Sequence, residues 1–240
     1  MTRRCWARAV SDCSDDISSE HIVSKALFPD NVTIRGPSWA KEFKTVGANA
    51  VTANILCRRH NSAVSALDAV AKDAWTVFRK LFEHLEDVRL ARVITHTTLP
   101  RRKYRVDGAG LERWCFKTTI NLAASGNVLG FPRDWQPRKE LAEYVFGRGK
   151  LPEGCGLGVV LALGERMHDR DTVIVKPLTT DQSDVEGFLI RFRGLRLAGS
   201  STQPLNSLYK PGADFDLDRV DVHPKKMIFT DVCQVAFRWV

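Results

Sequence analysis

Two neighbouring residues, Glu20 and His21 in SSEHIVSKALFP, and two amides, Asn54 and Asn61 in TANILCRRHNSAVSALD, are the side chains of this sequence best suited to doing chemistry together. Cutting a phosphodiester requires a base for water, a cation on the oxygens that gain charge, and a means of holding both against phosphorus. His21 suits the first task, because neutral imidazole accepts a proton near ambient pH. Glu20 and Asn61 suit the second, since hard divalent cations such as Mg²⁺ take carboxylate and amide oxygens. Asn54 suits the third, since an amide donates and accepts at once and can hold an imidazole in one tautomer. Adjacent strand residues face opposite sides, so Glu20 and His21 can share a site only where the strand bends or ends.

The turn before Asn61 carries a second pattern. Cys57-x-x-His60 can chelate Zn²⁺ as half of a tetrahedral site, and Cys5 and Cys13 are available for the other half at an unusual spacing. Without a metal, Cys57 would be an ordinary buried thiol. Arg58 and Arg59 stand in the same turn, beside any phosphate held there. A further basic cluster, Arg101, Arg102, Lys103 and Arg105 with Tyr104 between, could contact nucleic-acid phosphate and stack a base. Arg191, Arg193 and Arg196 form a third basic group of lower standing.

The elements that must position these residues follow from periodicity. From Val64 apolar residues recur every three or four positions to Leu85, with charge on the other face, which predicts a long amphipathic helix over 61–87. Its apolar stripe, Trp75 included, reads as core, and Asp68 as a helix-face carboxylate with a second role near Asn61 as the alternative. The segment 32–53 reads as a long loop with short strand pieces. Pro100 breaks the helical pattern and sets a boundary near Leu99, giving parts 1–98 and 99–240. Beyond it, LERWCFKTTINLAAS and PRKELAEYVFG read as helices ended by Gly126 and Gly147. GLGVVLALG, TVIVKPL, EGFLIRFRGLRLAG and MIFTDVCQVAFRWV then read as strands. The fold expected is α+β, with a mainly antiparallel sheet in the second part.

The ordered set EH, then N, then LCRRHN leading into a helix resembles the HNH, or ββα-metal, endonuclease family in its HNN variant. The resemblance covers about residues 5–68. It implies an N-terminal ββα-metal motif around one divalent cation, Mg²⁺, Mn²⁺ or similar. In it His21 falls on the general base, Glu20 on the preceding metal-binding acid, Asn54 on the central Asn of the second strand, and Asn61 on the last metal ligand. Many such proteins brace the motif with a zinc knuckle, and Cys5, Cys13, Cys57 and His60 would supply it here. The activity implied is hydrolysis of nucleic acid, DNA before RNA, with 99–240 selecting substrate, docking a regulatory protein partner or restraining cutting. A role in host defence, a mobile element or phage DNA processing is compatible. The alternative is a non-catalytic zinc-stabilised module that binds nucleic acid or protein.

Composition agrees with a polyanionic partner and excludes some classes. The 240 residues carry a formal charge of +8 with 44% hydrophobic residues, enough for a sizeable core. Six scattered cysteines suit reduced thiols or a metal better than a disulfide framework. No long apolar run and no apolar leader is visible, so a cytoplasmic protein without membrane contact is expected. His84, His96, His168 and His223 have no ligand-spaced partner, and Cys115, Cys155 and Cys233 read as core. GCGLG at 154–158 lacks the Lys-Ser/Thr of a phosphate loop, and Asp214, Asp216 and Asp218 start a calcium-like loop that Arg219 and Lys225 spoil.

Overall fold

A computed structural model describes residues 5–28, 30–35, 40, 42–95, 99–126, 128, 131–132, 134–161, 172–179, 184–192, 195–205, 219–222, 226–229 and 233–239. His96, His168, His223, Arg193 and the calcium-like loop at 214–218 lie outside these residues, as does the side chain of Cys233.

The chain is mixed α+β. Strand β1 (Ile17–His21) pairs antiparallel with β4 (Thr52–Cys57), and between them β2 (Asn31–Arg35) and β3 (Lys44–Gly47) form a second antiparallel pair. The segment expected as a long loop therefore supplies strand pieces, and these leave for a different sheet. Helix α1 (Arg58–Val64) follows β4 directly, and α2 (Ala66–Leu90) follows α1. The periodicity predicted one helix here, and the structure interrupts it at Ser65. The Ser65 hydroxyl donates to the Ser62 carbonyl at 2.7 Å, and the Asp68 amide bonds to the Ser65 carbonyl, so local bonds replace the regular ladder. The buried face of α2 is the expected stripe, including Leu67, Ala71, Trp75, Phe78 and Leu81, with Phe28 edge-on to Trp75.

Beyond Pro100, β5 (Arg102–Asp107) leads into α3 (Gly108–Ala124), and α4 (Lys139–Val145) follows. Asp107 caps α3 by accepting from the Gly110 amide at 2.8 Å. Gly126 and Gly147, both at positive φ, stand just past α3 and α4 where a left-handed residue ends a helix. Strands β6 (Gly156–Leu161), β7 (Thr172–Leu178), β8 (Gly187–Phe192), β9 (Leu195–Ser200), β10 (Arg219–Val222), β11 (Lys226–Phe229) and β12 (Cys233–Arg238) complete the described elements.

The main sheet has seven strands in the order β10-β6-β9-β8-β7-β2-β3, antiparallel except between β2 and β7. A three-stranded sheet, β11-β12-β5, sets β12 parallel to β5. Pairing of Thr33 with Thr172 and of Ile34 with Val173 joins residues from both sides of the expected 98/99 boundary in one sheet. Helix α3 lies between α2, α4 and the strands β7 and β8, buried on almost every side. Phe116 packs edge-on against Phe188 at its centre. No helix of the described residues is long and apolar enough to cross a membrane.

Candidate metal centre

Cys57 ends β4 and stands as the residue before α1, so His60, three positions on, lies in the first turn of the helix on the side of the Cys57 sulfur. The other half of the cluster comes from the N-terminal segment. Cys5 is wholly buried, and the chain then makes a short 3-10 turn over Arg8–Val10. Positive φ at Ser11 and Asp12 reverses it and brings Cys13 back beside Cys5. The unusual spacing is thus accommodated by a local reversal. Trp6 anchors the segment by donating its backbone amide to the Ile55 carbonyl of β4 at 3.0 Å.

The four donor atoms lie within 4.8 Å of one another. His60 Nδ1 is 3.4 Å from the Cys5 sulfur, 3.6 Å from that of Cys13 and 3.2 Å from that of Cys57. One imidazole nitrogen has one lone pair or one proton, so hydrogen bonding accounts for one of these approaches but not three. A tetrahedral cation with bonds of about 2.3 Å to sulfur and 2.0–2.1 Å to nitrogen would hold such atoms about 3.6 Å apart. The Cys5-Cys13-Cys57-His60 cluster can therefore hold a metal ion, and the geometry is compatible with zinc.

Its electrostatics are those of a buried thiol group. Burial pushes the Cys5 thiol up to about 12 and raises that of Cys13. Burial also acts to raise Cys57, but the backbone amides of His60 and Ser14 outweigh it and the thiol is lowered. Burial lowers His60, which keeps its imidazole neutral and its nitrogen free to ligate. The ring of Phe146, just past α4, packs against both His60 and Trp6, so the second part of the chain braces the cluster.

The second candidate group lies on the paired strands β1 and β4. Ser18 pairs with Leu56 and Glu20 with Ala53, so Asn54 and Ile55 together face Ser19 across a bulge. Asn54 is exposed at that bulge. Asn61, on α1, donates its amide to the Ser18 hydroxyl at 2.9 Å and the Ser19 carbonyl at 3.4 Å. Its oxygen takes part in no hydrogen bond among the described residues. His21 ends β1, and its Nε2 is buried without a hydrogen-bond partner among the described residues.

Glu20 is placed differently from its neighbour. Its carboxylate is buried on the α3 side, where Lys117 Nζ lies 2.8 Å and Asn121 Nδ2 3.1 Å from Oε1. Lys117, 2% exposed, also contacts both oxygens of Asp68 at 2.9 and 3.0 Å. Asn121 donates further to the His21 carbonyl at 3.3 Å and accepts from the Trp6 indole at 2.9 Å. The structure thus ties the backbone of His21, the acid beside it and the N-terminal segment to one face of α3. The described bonds to Glu20 all fall on Oε1.

Lys117, Asn121 and Trp6 were not singled out by sequence reasoning. The available signal was weak: Lys117 and Asn121 stand four apart and so share a face of a helix that also carries Glu112, Arg113, Thr118 and Thr119, and only the burial of that face shows that the lysine needs an anionic partner. Asp68, on α2, pairs with Lys117 rather than with Asn61 among the described residues. Arg58 and Arg59 are exposed at the start of α1, and Arg59 pairs with Asp12 at 3.5 Å on the surface. Arg102, Lys103 and Arg105 are exposed on β5 with Arg101 just before it. Arg191 and Arg196 pair across β8 and β9 in the main sheet, and Cys115 and Cys155 are buried. In comparisons with family models, curated proteins and solved structures, the chain matches none of them.

Proposed function

We propose that this protein is a metal-dependent endonuclease of the HNH type, with a structural zinc ion in the Cys5-Cys13-Cys57-His60 cluster. The observation that carries the reading is the buried Nε2 of His21, without a partner among the described residues, at the end of a strand paired antiparallel with β4, next to a helix that brings in Asn61. Burying an imidazole nitrogen without a partner is costly, and a reacting water is a reason to tolerate it. In this reading His21 takes the proton of the attacking water through Nε2. Asn121 fixes the backbone of that residue, and Asn54 lies in the bulge across from β1. Arg58 contacts the phosphate from the helix start, and the exposed cations of β5 contact the backbone elsewhere on a nucleic acid, DNA before RNA.

The residues suited to a divalent cation are Asn61, through the oxygen that makes no hydrogen bond among the described residues, and Glu20, through Oε2, which takes none of the described bonds. Such an ion, when bound, supplies positive charge against the phosphate oxygens and the leaving oxygen. Plasmid nicking with Mg²⁺, Mn²⁺ or Ni²⁺ tests the reading, comparing wild type with His21→Ala. Cleavage that needs the metal and is lost in the variant is expected, whereas equal cleavage by both proteins removes His21 from the base role.

One observation favours a second reading. The Lys117 ammonium already neutralises Glu20 at 2.8 Å, as it would in a domain that carries only the zinc cluster and binds nucleic acid or protein without cutting it. That protein would contain one zinc ion, bind in a salt-sensitive way and show no cleavage with any divalent cation.

A further inference from the structure

Helix α2 and strand β5 line an open cleft of about 520 Å³ that none of the Cys/His cluster residues lines. Asp68 and His84 stand sixteen residues apart on α2. At helical rise that is an axial separation of about 24 Å. The cleft is built: the Tyr104 hydroxyl donates to the Lys80 carbonyl at 3.3 Å and ties its two walls together. From α2 it is lined by Lys80, Glu83, His84 and Asp87, and from β5 by Arg102, Lys103 and Tyr104.

His84 is the anomaly. It is 1% exposed, yet both ring nitrogens lack a hydrogen-bond partner among the described residues. The Pro100 carbonyl is near enough to act on the ring electrostatically without completing a hydrogen bond. Burial, with Arg102 nearby, lowers the imidazole and keeps it neutral, so one nitrogen carries a proton that completes no hydrogen bond among the described residues. Lys80, Arg102 and Lys103 make no ion pair among the described residues, while Glu83 is paired with Arg79 at 3.5 Å. A cation does not suit this cleft: among the described residues, the Cys/His cluster is the grouping close enough to hold a metal, and Glu83, His84 and Asp87 do not converge in that way.

We propose that the cleft between α2 and β5 binds a nucleotide unit through its phosphate, with His84, Lys80 and Arg102 as donors and Tyr104 as the ring beside the base. A guanidinium, an ammonium and an imidazole N–H are three different donors suited to one phosphate group. A cleft of this volume also has room for a base, which an aromatic ring can stack. The inference rests on the proposed nucleic-acid partner and not on cleavage.

The test follows the imidazole resonances of the full-length protein by NMR during titration with adenosine 5′-monophosphate, with adenosine, and with a single-stranded oligonucleotide. The monophosphate should shift the His84 signal saturably and adenosine should not. The double variant Lys80→Gln/Arg102→Gln, altered only at exposed positions, should bind about tenfold more weakly or worse. Displacement of the monophosphate by the oligonucleotide identifies the source as a nucleic-acid strand, and failure to displace it identifies a free nucleotide. A His84 signal unmoved by both phosphate probes, or a double variant that responds like wild type, overturns the site. A protein that cuts DNA while His84 stays silent loses this site alone, and one that binds the monophosphate without cutting keeps it.

Discussion

The Cys/His cluster and the Glu20/His21 region sit at opposite ends of the same pair of strands, and they solve the burial of chemically active groups in opposite ways. In the cluster, three sulfurs approach one nitrogen and, among the described residues, no side chain supplies positive charge at bonding distance, so the group is one that could hold an ion. In the other region the protein supplies the cation itself: Lys117 lies between Glu20 and Asp68, and Asn121 has donors and acceptor all engaged. The difference teaches that a buried carboxylate beside a candidate base can be satisfied internally. It then orients its neighbours even before any ligand arrives.

If the comparison is right, the two regions should fail differently. The largest expected effect is removal of the cluster's ion. Structural zinc sites in small domains contribute about 10–16 kcal/mol of apparent binding energy at neutral pH, and that energy is folding energy. Purified protein should contain one zinc per chain, and a strong chelator or Cys57→Ser should lower the thermal midpoint sharply and expose the N-terminal segment to protease. A metal-free protein that melts at the same temperature as the isolated material would break this half of the comparison.

Next in size is Lys117→Met. It keeps the side-chain length but leaves Glu20 and Asp68 without their shared cation, a loss of about 3–5 kcal/mol for a broken buried pair. Chemical denaturation should show that loss without loss of zinc. Adding Glu20→Gln to Lys117→Met removes one of the stranded charges and should recover part of it. Equal stability of the single and double variants would mean that Lys117 does not answer Glu20. Asn121→Leu comes third, at about 1–3 kcal/mol, because it strands the Trp6 indole and loosens the His21 backbone.

How far the sequence discloses each region follows from the distance between its parts. Cys57-x-x-His60 is legible because four consecutive residues carry it, and a strand-to-helix junction presents both donors on one side. The full cluster is legible only as an expectation, since a reversal at Ser11 and Asp12 is needed to bring Cys13 back. The helices around Trp75, Trp114 and Leu141 and the strands of the second part follow from periodicity. The separation at 98/99 does not account for the joining of β2 to β7, because strand pairing across 139 positions leaves no local pattern. The same is true of Glu20 and Lys117, which are 97 positions apart. The need of Lys117 for a partner shows only once its burial is known.

The smallest effect on stability, and the sharpest on function, should come from Asn54→Ala. Asn54 is exposed and lies in the bulge opposite Ser19, where its side chain makes no hydrogen bond among the described residues, so removing it should change stability by no more than about 0.5 kcal/mol. Bulges re-aim a side chain away from the regular alternation of a strand, and here the residue so re-aimed is an amide across from the β1 segment that ends in His21. If that amide positions the imidazole or the phosphate, cleavage should fall by about 100-fold, the scale of a displaced reacting group. Both quantities come from one preparation, by a denaturation curve and a nicking time course. A stability loss as large as that of Asn121→Leu would make Asn54 a strut of the bulge. Unchanged cleavage with unchanged stability would leave the bulge without a chemical role and confine the active groups to β1 and α1.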